Sequence, residues 1–371
     1  MNLADHIQAA PGTGYDIAGT MSALAHFIAK AERFEMSEDV VQACVSLVDT
    51  KPSALNAAMP LCRMPYDNMW IEYRGGINAH NNTRDPLTAP IPERQGFLIR
   101  STGQGCVGFA TVVWVHKTLP GLDGVNVNAP FSSPFAIYFD WRPDGDVRET
   151  IRAMHKSMLR DFPRNDLERA ALAGVIMWLE KIFLSTTPTE EIKRFFMIRH
   201  GWKKFANNPI EIEAMRNAEN HMLAGLSPFG VKLILEMLVA TLENNNPEGA
   251  KQIFSNWLGD IQGEGVFMEC FLAMLNSRNC IEREPVDFSK LNKARQKRGK
   301  RPLLSYTKTK IVLSKTQART ASARGIEREA ARLHLVRGHF KIRRTGVYWW
   351  CPFTRGDAKR GALKREEYEV K

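Results

Sequence analysis

Imidazole, guanidinium, ammonium and indole groups come closest together in the run Leu333-His-Leu-Val-Arg-Gly-His-Phe-Lys-Ile-Arg343, followed by Gly346-Val-Tyr-Trp-Trp-Cys-Pro-Phe-Thr-Arg-Gly356. Two chemistries suit these residues. In the first, His334 and His339 titrate near neutrality and act as acid and base in metal-free RNA cleavage, with Arg337 neutralising the phosphate. Their spacing opposes this. On a regular strand they face opposite sides, and only a bulge, for which Gly338 is the candidate, would bring them together. No carboxylate pair lies nearby to hold Mg²⁺, no metal-ligand spacing occurs, and no cofactor is indicated.

The second chemistry is binding. As a strand, this run sets Arg337, His339, Lys341 and Arg343 against Val336, Phe340 and Ile342 on the other face. A turn at Arg344-Thr345-Gly346 makes Gly346-Val-Tyr-Trp-Trp its hairpin partner. Trp349 and Trp350 then point to opposite faces, one buried and one exposed to stack on a base, while Lys and Arg meet phosphates. Arg355 offers a further phosphate contact. The competing reading has both tryptophans packed and the charges simply solvated.

Charge extends the second reading upstream. Residues 281–371 hold 25 Lys+Arg and 9 Asp+Glu, net +16, whereas the preceding 26 basic and 31 acidic residues give −5. The segment Asp287 to Pro302 predicts a short cationic helix with Ser289 as cap and Gly299 as stop, carrying Arg295, Lys297, Arg298 and Lys300. Clustered cations on a mildly acidic body suit a polyanion such as DNA or RNA. An acidic host or virion protein is the alternative partner. A membrane is not expected, since the most apolar helical stretches contain charges. The six cysteines have no C-x-x-C pair and read as reduced, mostly buried residues, and the amino terminus lacks a signal-peptide pattern, so a soluble intracellular protein is expected.

The elements that must position these groups read as an α+β protein. Residues 15–65 predict three short helices, the first from Ile17 to Phe34. Residues 69–141 predict an antiparallel meander, and 146–279 predict helices throughout, including Ile210–Leu226, Thr189–His200, Pro228–Asn244, Pro247–Leu258 and Gly263–Leu275. A strand from Tyr306 to Leu313 and a flexible loop at 314–329 lead into the carboxy-terminal β module. The expected division is 1–145, 146–284 and 285–371. Gly103-Gln-Gly-Cys-Val-Gly108 matches G-x-G-x-x-G, but it enters a β-rich segment, so it reads as a turn and not a nucleotide cradle. Glu72, Asp140 and Glu180 have no partner visible in the sequence.

Residues 285–357 resemble the carboxy-terminal module of an uncharacterised family of tailed-bacteriophage proteins. The likeness rests on Leu291-Asn-Lys-Ala-Arg-Gln-Lys-Arg-Gly-Lys-Arg-Pro-Leu, His334-Leu-Val-Arg-Gly-His-Phe and Gly346-Val-Tyr-Trp-Trp-Cys-Pro-Phe-Thr-Arg-Gly. It implies a phage origin and the cytoplasm of an infected bacterium, and brings no established activity. This chain has Phe353 where a histidine is usual in that family, which weakens a histidine-dependent reaction. The expectation is a non-enzymatic nucleic-acid-binding protein, with a metal-independent nuclease and a virion or host-protein-interaction component as alternatives.

Overall fold

The computed structural model describes residues 2–11, 19–48, 52–74, 93–115, 130–183, 207–236, 247–278, 280–312, 332–336, 339–343, 346–350, 353–355 and 357–362. The chain opens with α1 (Leu3–Ala9) and α2 (Thr20–Lys30), then β1 (Glu32–Met36), α3 (Glu38–Val48) and α4 (Pro52–Ala58). Strands β2 (Asn68–Arg74), β3 (Arg94–Gly103), β4 (Val107–Val115) and β5 (Pro130–Asp140) follow, then helices α5 (Val147–Asp161), α6 (Asp166–Phe183) and α7 (Pro209–His221). After β6 (Met222–Leu226) come α8 (Pro247–Asn276), β7 (Ile281–Val286), α9 (Ser289–Lys297) and β8 (Tyr306–Ile311).

These eight strands make one mixed sheet in the order β6-β5-β4-β3-β2-β1-β8-β7. The meander expected over 69–141 is its antiparallel centre, β2 to β5. Side chains alternate across that centre, as the two-residue period of a strand requires. Trp70, Leu98 and Val113 join the cluster under α1 and α2, while Met69, Ile71, Phe97, Ile99 and Val112 join the larger cluster with α3 and α8. Helices therefore cover both faces, which is why β5 is buried almost end to end and reads as a continuous apolar run.

Three expectations about the strands are corrected. The sheet is mixed and not purely antiparallel, because β1 runs parallel to both β2 and β8. Its residues were expected to end a helix, but Phe34 and Met36 alternate inward between two strands, and α2 stops at Lys30. Met222-Leu-Ala-Gly-Leu226 was expected to end the helix Ile210–Leu226 from its apolar spacing, yet all five residues are buried as an edge strand on β5. Tertiary pairing overrides a weak helical preference here. Gly225 makes that approach possible, since a Cβ there would lie 2.9 Å from the Tyr138 ring.

The two helices expected at 247–258 and 263–275 are one, α8, which runs through Gly259, Gly263 and Gly265. At Gly265 a Cβ would sit 2.9 Å from Met222 Sδ, so that glycine permits close packing on β6. Gly103 to Gly108 forms the β3–β4 turn, with φ of 47° at Gln104 and 76° at Gly105, as expected for a turn. The region 189–200, the end of 228–244, the loops at 78–92 and 314–329 and the end of the chain after 362 lie outside the described residues.

The carboxylates without sequence partners acquire them. Glu72 is buried and accepts from Leu3 N at 3.0 Å, Ala4 N at 2.9 Å and Trp70 Nε1 at 2.8 Å, with Arg94 Nη1 at 3.2 Å. It thereby fastens the start of α1 to the sheet. Asp140 pairs with Arg142, which holds its carboxyl below the ordinary range against the opposing cost of burial. Glu180 lies 3.4 Å from the buried ring of His155, whose pKa burial lowers. Of five described cysteines all are free, and four are buried.

Beyond Val312 the described strands are short. β9 (Arg332–Val336), β12 (Phe353–Arg355) and β13 (Asp357–Ala362) form a three-stranded sheet in the order β12-β9-β13, and β10 (His339–Arg343) pairs with β11 (Gly346–Trp350) as a hairpin. Among the described residues no helix is long and apolar enough to cross a membrane.

Candidate nucleic-acid interface

Helix α9 and its return segment are inserted in the chain between the edge strand β7 and its neighbour β8. The start of α9 is fixed by Asp287, whose Oδ1 accepts from Ser289 N at 2.9 Å and Oδ2 from Ser289 Oγ at 2.6 Å. Those bonds hold the Asp287 carboxyl below its usual range. The N-cap position is Phe288, not the expected Ser289, and the side-chain bonds to the first helical residue come from Asp287, the residue before it. At the other end Gly299 N donates to Gln296 O and Lys300 N to Arg295 O, with φ of 65° at Gly299. This is a Schellman stop with glycine in the left-handed position, as the sequence predicts.

The return segment is clamped back on the helix. Asn292 donates through Nδ2 to Leu303 O at 2.8 Å and accepts through Oδ1 from Leu303 N at 2.7 Å. Arg295 Nε donates to Arg301 O at 2.8 Å, Arg301 Nη1 to Gln8 O at 2.5 Å, and Leu304 N to Asp5 Oδ1 at 3.2 Å. Phe288 N donates to Ser305 Oγ, and the Phe288 and Tyr306 rings lie 5.9 Å apart. A segment that is polar and apolar-poor is therefore ordered by hydrogen bonds to its own backbone and to α1.

This clamp sorts the cations. Asn292 and Arg295 face the return segment, and Arg295 is only half exposed. Lys290, Lys293 and Lys297 fall within about 60° of one another around the helix and span about 10 Å along it. They are exposed, as are Arg298, Lys300 and Arg301. Of the sequence-predicted contacts, Lys297, Arg298 and Lys300 are thus presented outward, while Arg295 works partly as a strut. Lys290 and Lys293 were not singled out from sequence, although their spacing with Lys297, three and seven residues on from Lys290, was the available signal.

Neutralisation distinguishes α9 from the strands that carry it. On β7 and β8, Glu282 sits opposite Lys310 and Glu284 opposite Lys308, and Lys310 Nζ meets Glu284 Oε2 at 2.5 Å. No Asp or Glu occurs from Ser289 to Pro302. Among the described residues none of Lys290, Lys293, Lys297, Arg298 or Lys300 has an ion-pair partner.

The second cluster is the β10–β11 hairpin, with Lys341 opposite Tyr348, His339 opposite Trp350 and Phe340 opposite Trp349. Lys341 Nζ lies 3.9 Å from the Trp350 ring centre, and Trp350 is 38% exposed. The contact is a cross-strand cation–π pair. Trp349 and Arg343 are placed by register only, Arg355 pairs with His334 in the neighbouring sheet, and Arg337 lies outside the described residues.

The two histidines fall on different described strands. His334 belongs to β9 in the three-stranded sheet, and His339 to β10 in the hairpin. Comparison with protein-family models, curated proteins and solved structures finds no match to this chain.

Proposed function

We propose that the chain is a non-enzymatic nucleic-acid-binding protein that meets phosphates with the outer face of α9 and its turn. The observation that carries this is the run of exposed cations at Lys290, Lys293, Lys297, Arg298 and Lys300, held on a helix fixed at both ends and making no ion pair among the described residues. Over the 10 Å of the lysine stripe a duplex offers about six phosphates, since it carries one charge per about 1.7 Å of axis. Matching of Lys308 and Lys310 by glutamates argues that the bare charge on α9 is a local feature and not general surface basicity. The β10–β11 hairpin supplies Lys341 and the half-open indole of Trp350 as an aromatic and cationic contact of the kind that holds single strands. Phage origin and action in an infected bacterium rest on the resemblance of residues 285–357 alone.

Fluorescence anisotropy with labelled single-stranded RNA, single-stranded DNA and duplex DNA tests the reading. Binding is expected, weakened on the order of 10-fold or more by Lys290→Ala, Lys293→Ala and Lys297→Ala together. No binding to any of the three would refute it. Cleavage of the same oligonucleotides in EDTA, abolished by His339→Ala, would instead establish the nuclease reading built on His334, Arg337 and His339.

A further inference from the structure

Helix α6 carries an apolar stripe on the side turned away from the body. Leu172, Val175, Ile176 and Leu179 are buried, and directly opposite them lie Leu167, Ala170, Gly174 and Met177. Leu167 is 61% and Met177 70% exposed, and a Cβ on Gly174 would meet nothing within 4 Å. A solvated helix face ordinarily carries charge along its length, whereas between its two ends this one presents only Leu167, Ala170, Gly174 and Met177. The ends of the stripe are charged and of opposite sign, with Asp166 at the start and Lys181 at the finish. The start is fixed by Asn165 Oδ1, which accepts from Glu168 N at 2.8 Å, and by Glu168 Oε2, which accepts from Arg164 N at 2.8 Å.

We infer that this face pairs with the same face of a second copy, as two antiparallel α6 helices about a two-fold axis near Ala173 and Gly174. The stripe is self-complementary in that arrangement. Met177 of one copy lies over Ala170 of the other, and Gly174 at the centre lets the backbones approach. Asp166 meets Lys181 at both ends, because a two-fold repeats every contact. A parallel pairing would place like charges together at both ends, so charge selects the antiparallel one.

The test is the mass of the full chain by sedimentation equilibrium over a wide concentration range. A reversible dimer is expected. Met177→Glu, exposed and so harmless to the fold by circular dichroism, is expected to weaken it on the order of 100-fold by burying an unpaired carboxylate over Ala170 of the other copy, twice by symmetry. Asp166→Lys and Lys181→Asp are each expected to weaken it, and the double reversal to restore it. A monomer throughout, which would leave the stripe to a different occupant, overturns the inference. So does a dimer indifferent to Met177→Glu, or a double reversal no better than the single changes.

Discussion

Replacing Glu269 by glutamine should flatten the pH dependence of stability over a defined window. Glu269 sits in α8 where every residue from Val266 to Leu275 is buried, and Cys62 Sγ lies 3.9 Å from its Oε1. A weak thiol donor cannot replace the lost hydration of a carboxylate, so burial pushes the Glu269 pKa up to about 7 from 4.5. The neutral acid is the folded form, and the stability it allows is complete below about 4.5. As pH rises through about 7 the native state must either bury the charge or open, and that stability is lost. The difference of about 2.5 units corresponds to about 3 kcal/mol at 1.36 kcal/mol per unit. Glutamine keeps the shape and the acceptor oxygen but has no proton to lose, and every other titrating group is common to both proteins. Urea unfolding of wild type and Glu269→Gln at several values between pH 4.5 and 8.5 gives the comparison. The variant should gain on wild type by about 3 kcal/mol from the acid to the alkaline end, with m unchanged. Parallel profiles would refute the argument, whatever their absolute separation, because a fixed offset reports only the packing of the amide.

Asn292→Ala removes both bonds to Leu303 and should loosen α9 and its return segment by about 2 kcal/mol, read as faster amide exchange from 289 to 305. Gly299→Ala should cost about 1 kcal/mol, seen as a lower unfolding midpoint, because nothing crowds the site and only the left-handed backbone is penalised. Lys341→Ala takes the cation off the Trp350 ring and should cost about 0.5–1 kcal/mol in the hairpin, with a change in tryptophan emission that Trp350→Phe abolishes.

The parts of the fold that could be read from the chain are those where local pattern and tertiary role agree. The β2–β5 meander alternates because its two faces go to different helical layers, and α9 was legible because a carboxylate or hydroxyl opens it and Gly299 closes it. Misreadings came where context decides. Met222 to Leu226 continues the apolar spacing of the helix before it and becomes a strand because it pairs with the edge of β5. The break expected between Leu258 and Gly263 is continuous helix, and Gly265 within it is a point of close contact with Met222 of β6. Of the candidate interface, the cations could be counted but not sorted. That Arg295 turns inward to Arg301 O, while Lys290 and Lys293 join Lys297, follows from the clamp by Asn292, which links residues eleven apart and leaves no sequence signature. Likewise the assignment of His334 to the β9 sheet and His339 to the β10–β11 hairpin depends on strand pairing, which the run of residues around Gly338 does not reveal.

Affinity for a short duplex measured against salt probes the electrostatic reading of α9 most directly. With Lys290, Lys293, Lys297, Arg298 and Lys300 on phosphates, log Kobs should fall against log salt with a slope of about −4.5, a loss of about 500-fold from 50 to 200 mM. The Lys290, Lys293 and Lys297 triple alanine variant should retain a slope of about −1.8, losing about 12-fold over the same range. A wild-type affinity indifferent to salt, or a triple variant with the wild-type slope, would contradict the account.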